Sequence, residues 1–244
     1  MRKFAVLSLF AMLFATEFAY GIVICTTVNG QIICVESYAG DFDPNNPDAN
    51  GLSNENDGIV GGNPYGAATY QNFVTTGSVA VAGLSTNNLS QLTPTALYWE
   101  IRSGVSEGNG GTLLASGSAT GNNFLQTPTG RSGFGYTEYT DVGLASVNLT
   151  AGTYWEAVVP VCTTCAGRSF NSNTFGLNQV GTNIPNQQFF NSSFFGANFT
   201  NANNEGVFQA FSSGVWTEVP EPSSMIMLGT GLLAAAGVVR RRLF

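Results

Sequence analysis

Between Ile22 and Glu218 no window of a dozen residues carries a helical period, which excludes most folds before any motif is considered. The segment carries alternation with period two instead. Leu97, Trp99 and Ile101 share one face of the run Ala96 to Arg102, while Tyr98, Glu100 and Arg102 share the other. In Thr153 to Val161, one face carries Trp155, Ala157, Val159 and Val161, and the other Tyr154, Glu156 and Val158. Ser78 to Leu84 and Gly206 to Val215 read as further strands. Clusters of Gly, Asn, Ser and Thr separate the runs, and many short strands with frequent turns favour a sandwich or jelly roll. The expected fold is therefore all-β: a β-sandwich or jelly-roll-like body with an N-terminal hairpin, and apolar helices at the two termini. Pro160 has no N–H to donate, so its strand should end there or lie at a sheet edge.

The hairpin can be read residue by residue. Asn29-Gly30 suits a two-residue type I′ turn, because both residues tolerate positive φ. Counting outward pairs Val28 with Gln31, Thr27 with Ile32, Thr26 with Ile33 and Cys25 with Cys34. Cys25–Cys34 then falls on a non-hydrogen-bonded pair, where Cα atoms lie about 4.5 Å apart, within reach of a disulfide. Such a bond should stabilise by about 2 to 3 kcal/mol. Two unrelated buried thiols are the plain alternative. Cys162 and Cys165 form a C-x-x-C after a strand rather than at a helix N-terminus, so a disulfide closing a turn is the expectation. A four-thiolate zinc site and a catalytic dithiol are the alternatives.

Both ends carry sorting features. Arg2 and Lys3 precede the apolar run Phe4 to Phe14, and Ala19-Tyr20-Gly21 places small residues where a signal peptidase reads, so residues 1–21 are expected to be a signal peptide. Residues 22–218 would form the extracytoplasmic body and residues 219–244 a tail. The tail reads Pro220-Glu221-Pro222, then a mostly apolar run to Val239, then Arg240, Arg241 and Arg242. Ser223 to Val239 just reaches the short end of the ~17–25 residues that span a bilayer, and the arginines would stay on the cytoplasmic side. This order of features resembles the PEP-CTERM sorting signal of exported bacterial proteins. The resemblance covers the last ~25 residues. It implies an exosortase, a membrane cysteine transpeptidase, that processes the tail near the motif. It implies the export machinery as a second partner, and a cell-surface or extracellular location with at least transient anchoring. It supplies no activity for the body.

Charge narrows the body's partners. Between Ile22 and Glu218 stand thirteen carboxylates against Arg102, Arg131 and Arg168, a net charge near −10. Such a surface does not bind nucleic acid through charge. Ala39 to Gly62 reads as a loop or linker rich in Asp, Asn, Pro and Gly. Its Asp41-Phe42-Asp43-Pro44-Asn45 fails the EF-hand pattern, with Asn46 in place of Gly and Leu52 in place of Glu, which leaves solvated turns or weak calcium binding. Asn171 to Asn204, rich in Asn and Phe, reads either as an assembly-prone segment or as edge strands covering the sandwich. Asn88, Asn148, Asn191 and Asn198 begin sequons that chance explains in so Asn- and Thr-rich a chain.

Catalysis has little to stand on. The chain has no histidine, so the commonest general base is absent. Glu100 and Glu156, in the echoed triplets Tyr98-Trp99-Glu100 and Tyr154-Trp155-Glu156, are the best carboxylate pair for glycoside hydrolysis, set against two outward polar positions. No catalytic, cofactor-binding or metal-binding residue is assigned and no cofactor is expected. The leading expectation is a structural or interaction protein of the cell surface or matrix. The alternative is a carbohydrate-binding sandwich, with exopolysaccharide as partner and Tyr98, Tyr154, Tyr136 or Tyr139 as the sugar platform.

Overall fold

The computed structural model describes residues 24–206 and 210–218; the expected signal peptide and sorting tail lie outside them. β1 (Cys25–Val28) and β2 (Gln31–Tyr38) form the hairpin in the counted register, from Val28 opposite Gln31 to Cys25 opposite Cys34. Asn29 and Gly30 take φ of 50° and 79°. Val35 N–H donates to Ile24 C=O at 2.9 Å, the bond that flanks a non-hydrogen-bonded pair. The Cα atoms of Cys25 and Cys34 are 4.0 Å apart and the disulfide is formed.

Two short strands follow, β3 (Gly51–Ser53) and β4 (Asn56–Asp57), both within the stretch read as a linker. That stretch is packed: Phe42, Val60 and Asn54 to Asp57 are buried. The large strands are β5 (Ala68–Thr75), β6 (Val79–Ser90), β7 (Ala96–Ser103), β8 (Thr112–Thr120), β9 (Phe124–Gly133), β10 (Tyr136–Leu149) and β11 (Gly152–Cys162). β12 (Ser169–Thr174), β13 (Phe189–Ser192), β14 (Ala197–Asn201), β15 (Ala210–Phe211) and β16 (Ser213–Glu218) complete the described chain.

These strands make two sheets. The first runs β1-β2-β16-β6-β10-β9, with β12 also paired to β6; the second runs β14-β13-β5-β11-β7-β8. The fold is all-β, as expected. The alternation read from sequence holds on β7 and β11. Leu97, Trp99, Ile101, Tyr154 and Val158 face the first sheet and pack with Leu84 and Val215. Trp155, Ala157 and Val159 face the other way, where Phe189 and Phe199 pack against them. The Asn- and Phe-rich segment thus supplies strands that cover the sandwich.

Pro160 departs from expectation. β11 continues through it to Cys162 and lies inside the sheet, with Pro160 opposite Leu97. The strand tolerates it because β5 has left β11 by Glu156, and β4 joins only at Val161. Pro160 therefore has a ladder on one side only.

Candidate functional site

The sandwich interior is divided. At one end it is apolar. At the other, Thr86, Asn88, Asp141, Asn171 and Ser213 of the first sheet face Thr69, Gln71 and Glu156 of the second, and all are buried. Asn54 bridges the layers: its amide donates to Asn88 Oδ1 at 3.1 Å and to Val158 C=O at 2.8 Å. Asn88 in turn donates to Asp141 Oδ2 at 2.9 Å. Asp141 Oδ1, Glu156 Oε2 and Asn171 Oδ1 have no hydrogen-bond partner among the described residues. Burial pushes the Asp141 carboxyl up to about 7, against its hydrogen bond from Asn88. Burial alone raises Glu156 well above the carboxylate range.

The three arginines among the described residues each meet a buried glutamate. Arg102 Nε lies 2.7 Å from Glu100 Oε1, Arg131 Nε 2.5 Å from Glu138 Oε2, and Arg168 Nη2 2.7 Å from Glu55 Oε1. Each carboxylate has further donors. Tyr70 and Tyr98 hydroxyls donate to Glu100. Thr129 and Ser172 hydroxyls donate to Glu138 at 2.8 and 2.6 Å. Ser169 N–H donates to Glu55 at 2.6 Å. Arg131 also reaches Asp41, at 3.1 Å, and Tyr38 donates to that same carboxylate. Burial, then the nearby Glu100 charge, holds the Tyr70 hydroxyl well above its ordinary value. Burial raises Glu55 despite Arg168. The pairing of Glu100 with Arg102 had a sequence signal: residues two apart on a strand share a face.

The carboxylates proposed for glycoside chemistry do not meet. β7 and β11 are neighbours, but Glu100 is opposite Ala157 and Glu156 opposite Ile101, so the two acids face opposite sides of one sheet. Neither is an outward polar position; both are buried. The tyrosines do not form a platform either. Tyr98 and Tyr154 lie on opposite faces of the second sheet, and Tyr136 and Tyr139 on opposite faces of the first. Tyr98 packs on Tyr65, Tyr154 on Phe73 and Tyr136 on Phe170.

Among the described residues no group of three or more His, Cys, Asp or Glu is placed to hold a metal. In the acidic loop, Asp43 accepts from Asn45 N–H at 2.9 Å and Asp41 is taken up by Arg131, Tyr38 and Asn178. Cys162 and Cys165 are joined in a disulfide at the end of β11, closed by a turn in which Cys165 N–H donates to Cys162 C=O at 2.9 Å.

A groove of about 530 Å³ opens between the sheets where β9 stops. β9 pairs with β10 only as far as Gly143, which leaves Leu144 to Asn148 facing β8 across a gap. Trp99 lies beneath Gly117, its cross-strand partner, and a Cβ on Gly117 would fall 2.7 Å from the indole. The indole N–H of Trp99 has no acceptor among the described residues, whereas Trp155 and Trp216 donate to Gln187 C=O and Ser85 Oγ. Gln31, Asn123, Asn148 and Glu218 supply a polar rim. Sequence reading missed this groove; a glycine inside an alternating strand, which marks a close approach, was its one signal.

Among the described residues no helix is long and apolar enough to cross a membrane. No curated protein and no solved structure matches the chain. Residues 218–242 match the family model of the PEP-CTERM protein-sorting motif, the segment that holds Pro220-Glu221-Pro222 and Arg240 to Arg242. The chain therefore carries an exosortase-directed sorting motif and is an exported, membrane-sorted protein.

Proposed function

We propose that the all-β body is a structural or interaction module of the cell surface or extracellular matrix, without catalysis, delivered there by removal of its sorting tail. The sorting motif at residues 218–242 carries this reading. The body is consistent with it: its arginines are spent on buried carboxylates, its cysteines on two disulfides, and Glu100 and Glu156 are divided by a sheet. Mass analysis of the protein from its native host should find the C-terminus lost near Pro220-Glu221-Pro222. Recovery of intact Phe244 on most surface molecules would reject processing and leave a single-span anchor.

One observation favours a second reading, carbohydrate binding. The groove at Trp99 joins an indole N–H that has no acceptor among the described residues to amide and carboxylate groups, the donor and acceptor mixture that a sugar hydroxyl array requires. A glycan-array screen of the purified exported protein should show binding that Gly117→Val removes, because the new side chain would push into the indole. Binding unchanged by Gly117→Val would move the sugar site elsewhere.

A further inference from the structure

The main strand path of each sheet ends in two edge strands, and three of these four are guarded. β1 has four residues and is tied to β2 by the Cys25–Cys34 disulfide. β9 carries Pro128 and Arg131. β14 is covered by the loop that joins β7 to β8: Gly108 N–H donates to Phe199 C=O at 3.2 Å, and Asn201 N–H to Glu107 at 2.6 Å. β8 is different. It runs nine residues, Thr112-Leu113-Leu114-Ala115-Ser116-Gly117-Ser118-Ala119-Thr120, with no charge and no proline. It pairs with β7 alone, and among the described residues no backbone hydrogen bond leaves its outer edge. Leu113 and Leu114 are 46% and 44% exposed. Proteins ordinarily blunt such an edge with charge, proline, a short strand or a cover, because its free N–H and C=O groups template another strand.

We infer that β8 is a self-association edge, at which β8 of a second copy adds antiparallel and joins two second sheets into one. Three observations select that occupant. A body with net charge near −10 repels a copy of itself over most of its surface, and β8 is a long uncharged strip within it. An antiparallel pairing of two identical strands is isologous, so one surface serves both partners. The chain's own tail is a poor occupant, because Pro220 and Pro222, just after β16, have no N–H for a ladder. Centred on Ser116, the pairing sets Leu114 opposite Ser118 of the second copy. One strand edge per partner buries less than the ~1,200 Å² of a stable complex. The contact is therefore weak in solution and gains strength where copies are concentrated on a surface. The inference rests on the fold and does not depend on tail processing.

Sedimentation velocity of the exported protein, disulfides intact, should show dimers that rise with concentration. Hydrogen exchange should slow at amides within Thr112–Thr120 at high concentration, and not within Phe124–Gly133. The double variant Leu114→Lys/Ser118→Lys sets lysines against each other across the twofold axis and should abolish the dimer without shifting the thermal midpoint. It also lowers the net negative charge, so general repulsion cannot explain the loss. A protein monomeric at every concentration would overturn the inference. So would a dimer that survives the lysines, or one that protects amides elsewhere.

Discussion

Replacing Arg131 by methionine should cost the protein about 3–5 kcal/mol, measured by urea unfolding with disulfides intact. The side chain lies 2.5 Å from Glu138 and 3.1 Å from Asp41, and Glu138 is wholly buried. Methionine keeps much of the arginine stem's packing, so the loss isolates the charge. The remaining donors, Thr129 and Ser172, are neutral and cannot balance a buried carboxylate. Since a domain holds only about 5–15 kcal/mol in total, the variant should lose a large share of its stability. Adding Glu138→Gln should restore most of the loss, because the charge leaves with its partner. A cost below about 1 kcal/mol for Arg131→Met would mean that the pair behaves as a surface ion pair.

The second large effect is a fall in stability with rising pH. Burial raises Asp141 from its ordinary value of 3.8 to about 7 in the folded protein. Between those values the folded state holds a proton that the unfolded chain has released, so each rise in pH favours unfolding. The stabilisation is complete below about pH 4 and is lost as pH passes about 7. The span corresponds to about 4 kcal/mol. Glu156, raised well above its range by burial, acts in the same direction. Urea unfolding should therefore give a higher midpoint at pH 5 than at pH 8. Asp141→Asn should flatten much of that slope, which separates this site from general repulsion among surface carboxylates. Stability that is level or rising from pH 5 to pH 8 would exclude a buried, neutral Asp141.

The features legible in sequence were those set by local geometry. The turn at Asn29-Gly30 fixes the hairpin register, and the register fixes Cys25 against Cys34. Alternation sorted β7 and β11 correctly into two faces. What lies against each face was not legible, because it depends on segments remote in the chain. Glu100 accepts from the Tyr70 hydroxyl of β5, and its partner Arg102 lies over the Phe199 ring of β14. Glu156 had a usable signal, since Tyr154 and Val158 mark its face as core. Tyr98, Tyr136, Tyr139 and Tyr154 looked like a platform only while strand faces were counted separately; pairing distributes them over both sides of both sheets. Pro160 was misjudged for a related reason, since a strand inside a sheet can still have an open flank where its neighbour is short.

The placement of β16 has a mechanical consequence. Its last residue, Glu218, is the first of the matched sorting segment, and the strand is laddered on one side to β2 and on the other to β6. A pull transmitted through residues beyond Glu218 arrives along the strand axis and loads both ladders in shear. The hydrogen bonds must then yield together rather than unzip in turn. Tension on the tail is thereby spread through the body's most connected sheet instead of peeling away an edge.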